Sequence, residues 1–410
     1  MNVYIFEDQN ALNLEPITLT RPSFEIRCGA FTCIRRIRLL LPDADIHFVV
    51  RPEMKELTQE KFPRNDVNPT IAEEGVWLLG NVLWNRDSIK EIVNNQVTNF
   101  YYDSILIGGH LTKKEGQDWL DIGGPTVQNI PKDKEKKNIN CRPIQFLWDA
   151  IHETGAQLTS DLFYFKEFSA PITGSILINK SQIFTHPSIT LSPGSVIDAS
   201  NGPIVIDKNV IIKPMVLLEG PLFLGEGNTV ESMTKLTGAN SIGPVCRLGG
   251  EIHNVIIQGW SNKVHDGHLG NSYLGQWVNL GAGTVNSDLK NNYDDVMVTV
   301  NGVIRDAKTK HIGCFIGDHV KTAIGTILNT GTVLGTGSNI ALKGFPPKTI
   351  QPFSWCVGEK IRRTKWNSFI NTVRIVKSRR GIETSNAEIS LLESIYKKPN
   401  KAIDDSKTLD

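Results

Sequence analysis

No two cysteines of this sequence form a Cys-x-x-Cys pair. The six present (Cys28, Cys33, Cys141, Cys246, Cys314, Cys356) are scattered, so neither a zinc ribbon nor a disulfide framework is indicated. An excess of one charge is missing too. With 44 Lys+Arg against 43 Asp+Glu, neither a strongly basic nucleic-acid binder nor an acidic tail is expected, although a local charged pocket remains open. No uninterrupted apolar run reaches the roughly 18 to 20 residues of a membrane span. The opening Met1–Asp8 lacks the basic region and long apolar stretch of a signal peptide. The expectation is a soluble, cytoplasmic protein without a membrane span or nucleic-acid partner. What is abundant is glycine: 35 residues in a chain of 410, beside 40% apolar residues, describe a globular protein rich in turns, with two or three domains.

The patterning changes near residue 170. Before it, short apolar runs alternate with helical periodicity. Asn2–Phe6, Ala44–Val50, Trp77–Gly80 and Ser104–Gly108 read as strands, and Ala30–Leu41, Arg86–Asn94 and Arg142–Asp161 as helices. This predicts an α/β domain over 1–170 with a largely parallel, Rossmann-like sheet. Lys132–Lys137 is charged and expected to be exposed.

From 171 to 350 apolar residues recur every sixth position. Ile204, Val210, Val216 and Leu222 form one run; Leu224, Val230, Leu236, Ile242 and Leu248 form another, offset by two; Leu328, Leu334 and Ile340 form a third. Six matches neither a helix nor a single strand, but it matches a coil of three short strands whose sixth residues stack inward, a parallel β-helix. Residues 250–273 and 286–311 interrupt the phase, and corner insertions of this kind commonly carry function. The coil is expected to end at Gly344-Phe345-Pro346-Pro347. A C-terminal helical cap and tail over 351–410 follows, with amphipathic helices at Lys365–Lys377 and Asn386–Tyr396 and a polar, frayed last dozen residues.

The stretch richest in polar and glycine residues is 261–284, which ends in Val278-Asn279-Leu280-Gly281-Ala282-Gly283-Thr284. It resembles the bifunctional UDP-N-acetylglucosamine pyrophosphorylase/glucosamine-1-phosphate N-acetyltransferases, in particular a shorter divergent branch of sugar nucleotidyltransferases. In that family the acetyltransferase's general-base histidine lies fourteen positions before the motif asparagine, and here that position is His265. Phe6-Glu7-Asp8, Leu19-Thr20-Arg21-Pro22, Arg27-Cys28-Gly29 and Phe353-Ser354-Trp355 match the divergent branch as well. The resemblance implies a nucleotidyltransferase domain followed by a left-handed β-helix that trimerises. It implies acetyl-CoA and UTP as co-substrates and Mg²⁺ as cofactor.

An imidazole suits removal of a proton from an amine attacking a thioester, and the Asn279 amide could stabilise charge on the carbonyl oxygen. The resemblance places the acetyl donor at Gly281, Ala282 and Gly283. It places phosphate contact at Lys235, where the family has arginine, and sugar contact at His268, where it has tyrosine. Lys290, Asn292 and Tyr293 share a loop that serves as a ligand contact or as a solvated corner. A sugar-contacting lysine of the family falls on His253.

The N-terminal domain departs further from the usual nucleotidyltransferase. The glycine-rich phosphate loop is absent after the first strand, and Arg21 and Arg27 are candidates for the positive charge instead. Gly80-Asn81 stands where a metal-binding Gly-Asp is usual, which leaves Asp8 and Asp87 as carboxylates and the metal ligands unknown. Arg35, Arg36 and Arg38 share one helix and fit a solvated face. Three readings remain: a bifunctional enzyme making UDP-N-acetylglucosamine, a single-activity sugar-1-phosphate nucleotidyltransferase using UTP or dTTP with a structural β-helix, and a non-catalytic sugar-nucleotide-binding protein.

Overall fold

The structure is a computed structural model and describes residues 1–95, 98–127, 134–168 and 174–399. The expected boundary at 170/171, the start of the charged Lys132–Lys137 segment and nearly all of the polar tail lie outside the described residues. Two compact units form. The first comprises Met1–Ile26, Phe31–Phe146 and Ser385–Ser394; the second comprises Arg27–Ala30, Leu147–Thr384 and Ile395–Asp410.

In the first unit six strands, β1 (Asn2–Phe6), β2 (Asp45–Val49), β3 (Gly75–Leu79), β4 (Thr98–Tyr102), β5 (Ile105–Leu111) and β6 (Glu135–Asn138), lie in the order β2-β1-β3-β5-β4-β6. Helices α1 (Cys33–Leu40), α2 (Lys55–Lys61), α3 (Arg86–Val93) and α4 (Lys113–Asp121) connect them. The sheet is mixed, not largely parallel. β1 runs parallel to β2 and β3, but β5 is antiparallel to both β3 and β4. The cause is local: β4 and β5 are joined by a tight turn with Asp103 at φ 51°, and a hairpin must reverse the chain. Register aligns His47, Tyr4 and Trp77 across three strands. Their rings stack at 4.8 and 4.3 Å, with Trp119 of α4 5.0 Å from Trp77.

The second unit opens with α5 (Leu147–Asp161), which begins five residues later than the sequence suggests. The solenoid then follows. Its three inward columns are read directly from strand register. Ile206, Leu224, Ile242, Ile257, Leu274, Ile316, Leu334 and Ile350 stack on one face. Ile197, Leu218, Leu236, Ile252 and Leu269 stack on another, and Ile212, Val230 and Leu248 begin the third. All of these are buried, and they form one continuous apolar core.

The two offset runs seen in the sequence are therefore two positions of one six-residue unit. Val210 and Ile212, Val216 and Leu218, and Leu222 and Leu224 are both buried in their turn. In later coils the earlier position becomes polar and ties down the corner: the Asn240 carboxamide accepts from Val255 N at 2.9 Å and donates to Thr237 O at 2.8 Å. The break over 250–273 is a series of short corners. Inward residues there are four or five positions apart (Leu248 to Ile252, Ile252 to Ile257, Leu269 to Leu274) while the strand register is kept.

The second interruption carries an antiparallel hairpin, Met297–Val300 with Val303–Asp306. Stacking also continues beyond Pro347. Thr349–Ile350 pair with Val333–Leu334, and Ser354–Gly358 pair with Asn339–Leu342, so the double proline bulges one corner without ending the coil. Helix α6 (Trp366–Ser378) follows in this unit; of α7 (Asn386–Lys397), the residues up to Ser394 belong to the first unit.

One column of corners is left-handed at Asn209, Val245, Trp260, Trp277, His319 and Phe353. Its large rings form a ladder: Trp260 to Trp277 at 5.1 Å and Trp277 to His319 at 6.5 Å, both stacked. α6 docks on this ladder through Phe369, whose ring meets Phe353 at 5.0 Å and His319 at 5.9 Å. All six cysteines are free and buried, as an isolated-thiol pattern requires.

Candidate active site

His265 lies in the corner between the short strand Asn262–Lys263 and the strand His268–Gln276, and its side chain is exposed. The two residues beyond it, Asp266 and Gly267, connect that corner to the next one along the solenoid. Gly283 N donates to Asp266 O at 3.1 Å, and the Gly281–Thr284 turn is closed by Thr284 N to Gly281 O at 3.0 Å. Corner register places His265 over Ala282, each two residues after an inward strand residue (Lys263 and Leu280). The structure thus brings His265 together with Gly281, Ala282 and Gly283.

Asn279 points outward on the strand before that turn and is exposed. It belongs to an outward column with Arg247, Asn262 and Lys321. A directed chain of hydrogen bonds runs along it: Arg380 Nη2 donates to Asn262 Oδ1 at 3.1 Å, and Asn262 Nδ2 donates to Asn279 Oδ1 at 3.3 Å. With its oxygen so engaged, the Asn279 NH₂ is left as the outward donor, the polarity a developing oxyanion needs.

Beneath the corner lies a residue that belongs to no motif of the sequence. Lys263 occupies an inward position between Leu248 and Leu280 and is 2% exposed. Its ammonium donates to Gly249 O at 3.0 Å and to His265 O at 2.5 Å. Burial pushes its pKa down to about 8, against a smaller opposing pull from Asp266. The amine therefore holds the backbone of the residue that carries the imidazole. Carrying the six-residue phase through 263 would have exposed this polar group in an apolar column.

The remaining carried-over residues divide into two groups. Lys235, Glu251 and His268 face outward at matching positions of successive coils. Glu251 lies between the two cationic candidates, and its carboxylate is 3.3 Å from His268 Nδ1, with Asp288 Oδ2 3.7 Å from Nε2. Asp288 above all, then Glu251, hold the His268 pKa above its ordinary value, and His268 in turn lowers that of Asp288. Both ring nitrogens of His253 are engaged, by Thr237 Oγ1 at 2.9 Å and Asn254 Nδ2 at 3.0 Å. Lys290 donates to Asp295 O at 2.6 Å, Asn292 donates to the Asp294 carboxylate, and Tyr293 is exposed at φ 58°. These three residues order their own loop.

In the first unit Arg21 is buried, its Nε donating to Ile17 O at 3.2 Å. The loop that bears it is organised by Glu7, a fully buried carboxylate that accepts from Ser23 N at 2.7 Å and from Arg51 N and Nε at 3.1 and 3.3 Å. Arg51 Nη2 reaches Thr18 O at 2.7 Å and Arg21 O at 3.3 Å. Such a hydrogen-bonded buried pair fixes a loop where a glycine cradle would otherwise be expected. Arg36 is buried instead of lying on a solvated face.

Arg27 belongs to the second unit. It is buried over the Phe223 ring at 5.7 Å, donates to Ala30 O at 2.9 Å, and its backbone exchanges hydrogen bonds with the Tyr273 hydroxyl.

Mg²⁺ fits poorly in the first unit. Asn81 Nδ2 donates to Ile144 O at 2.7 Å and offers one neutral oxygen, where the ion prefers carboxylate. The Asp8 carboxylate caps a turn through Asn10 N and Nδ2, and burial raises its pKa. Asp87 lies in the exposed first turn of α3. Among the described residues no three His, Cys, Asp or Glu side chains converge on a metal position.

Residues 3–168 match the family model described as sugar nucleotidyl transferase. The chain is similar to the bifunctional protein GlmU of Synechococcus elongatus, 28% identical over 191 residues that cover 42% of this chain and 38% of that protein. It is similar to the bifunctional protein GlmU of Rippkaea orientalis, 37% identical over 108 residues, 26% of this chain and 22% of that one. The bifunctional sugar-1-phosphate nucleotidylyltransferase/acetyltransferase of Sulfurisphaera tokodaii is 29% identical over 116 residues, 28% of each chain.

These likenesses place the chain near GlmU-like bifunctional transferases, with the sugar nucleotidyl transferase match confined to residues 3–168. The chain spans less than two fifths of the length of these curated relatives. Among the described residues no helix is long and apolar enough to cross a membrane.

Proposed function

We propose that this chain is a bifunctional transferase whose solenoid acetylates an amino-sugar phosphate and whose N-terminal domain acts on a sugar 1-phosphate. In the reading favoured here, acetyl-CoA and glucosamine-1-phosphate react at the His265 corner, and the product joins UTP in the N-terminal domain to give UDP-N-acetylglucosamine and pyrophosphate. The amine nitrogen attacks the thioester carbonyl carbon while the His265 imidazole takes its proton. The Asn279 NH₂ donates to the oxygen as it gains charge. The tetrahedral intermediate collapses by breaking the carbon–sulfur bond, and the thiolate leaves to be protonated.

The observation that carries this reading is the exposed His265, stacked over Gly281-Ala282-Gly283 with an oriented Asn279 amide one coil away. The small residues leave room beside the imidazole for a bulky acyl donor. A homotrimer through the solenoid and a cytoplasmic location, where acetyl-CoA and UTP occur, belong to the same proposal. Exposed Met215, Met233 and Ile324 on one line of corners support an association surface.

The Asn81 amide and the engaged Arg21 favour, for the N-terminal domain alone, the third reading, a nucleotide-sugar binder without catalysis. Incubating the purified chain with acetyl-CoA and a panel of amino-sugar phosphates, with and without UTP or dTTP, separates these readings. Thiol release with an amino-sugar phosphate is expected. Its absence across the panel would remove the acetyltransferase assignment, and absence of pyrophosphate release would leave the binder.

A further inference from the structure

The geometry points to a phosphate-binding pocket between the C-terminal end of α6 and the solenoid, lined by Arg247, Lys321, Arg379 and Arg380. The cavity measures about 320 Å³ and lies wholly within the second unit. Asn262 and Asn279 also border this recess, so it adjoins the proposed acetyl-transfer site, but it is the four cations, not acetyl transfer, that call for an anion.

Three guanidiniums and an ammonium line this one recess, and no carboxylate lines it. Among the described residues none of the four is in an ion pair. The like charges weigh on one another: burial first, then Arg247 and also Arg379, lower the Arg380 pKa, and burial pushes Lys321 down to about 8. A bound anion would relieve that repulsion, since cations gathered in a recess raise the local concentration of counter-charge.

The recess is held by rigid parts. Arg247 and Lys321 project from the outward column that also carries Asn262 and Asn279, with adjacent rungs about 4.8 Å apart. The other wall is the end of α6, fixed by the Phe369 contacts, by Lys377 Nζ 5.7 Å over the Trp277 ring, and by Arg380 Nη2 on Asn262 Oδ1. Arginine forks pair bidentately with phosphate oxygens, so the ligand class is a phosphorylated small molecule, free or as part of a nucleotide. The indoles of Trp260 and Trp277 border the same cavity and offer a surface for a base.

Calorimetric titration of the full chain with pyrophosphate and with ADP tests this, using wild type, Arg247→Gln and the double variant Arg379→Gln/Arg380→Gln. The substituted residues lie outside the N-terminal unit, so nucleotide binding there is unaffected. The expected result is a binding component that weakens by at least about tenfold in both variants and with rising salt. Tighter binding of ADP than of pyrophosphate would add the tryptophans to the site, and equal binding would assign the pocket to phosphate alone. No binding in wild type, or affinities unchanged in both variants, would overturn the proposal. The titration reads anion binding alone, so its failure is distinguishable from a failure of acetyl transfer.

Discussion

Lys263 shows how much one side chain can change in a solenoid core. The positions before and after it in the stack are Leu248 and Leu280, and neither has a polar group to satisfy. A charged amine at this depth costs several kcal/mol unless it is hydrogen-bonded or neutral, and two carbonyls meet part of that need. The unfolded chain keeps the proton up to the ordinary 10.5, whereas the folded chain releases it near 8. Between those values the unfolded state binds more protons, so stability rises with pH there; below about 8 the burial penalty is paid in full. Comparing wild type with Lys263→Met by urea unfolding at pH 7.5 and pH 10 isolates the effect, because Lys321 is common to both. Wild type is expected to gain on the variant by about 1 kcal/mol per pH unit across the window. Parallel pH profiles would show that the amine is not buried as described.

At the scale of the element, the corner decides what the strand can carry. Gly249 forms a shortened corner, and a Cβ there would lie 1.6 Å from Val264 O, in the coil that presents His265. Gly283 is left-handed at φ 69°, but a Cβ there meets nothing nearer than 3.7 Å. Gly249→Ala is therefore expected to lower stability by more than about 3 kcal/mol, by forcing two coils apart, and Gly283→Ala by only about 1–2 kcal/mol of backbone strain. Thermal or chemical melts of the two variants check the order, and the reverse order would contradict the corner geometry.

The same elements mark what was legible in the sequence. Apolar residues six apart revealed the coil, because inward stacking imposes that spacing on every strand. The shortened corners hid its continuation through 250–273, since register there is kept by backbone pairing while the spacing falls to four or five. His265 and the glycine turn were legible through their fixed separation along the chain. The antiparallel β5 was not, because an isolated strand gives no sign of its direction. Arg380 on Asn262 was not legible either: 118 residues separate the partners, and only the docking of Phe369 brings them together.

For the whole molecule, the two units carry different kinds of support. Residues 3–168, which take in most of the N-terminal unit and α5 of the second, match a sugar nucleotidyl transferase model, yet the first loop is fixed by Glu7 and Arg51, and an amide, Asn81, stands where the resemblance leads one to expect a metal-binding Asp. The solenoid unit is chemically more explicit, with an exposed imidazole, an oriented amide and small neighbours on stacked corners. The central claim is that His265 is the base for acetyl transfer, and the most direct measurement is the initial rate of thiol release from acetyl-CoA by wild type and by His265→Ala, with the most active amino-sugar phosphate as acceptor. The account predicts a loss of about 10²-fold or more in the variant, with unfolding unchanged. A His265→Ala protein that transfers acetyl at the wild-type rate would contradict it.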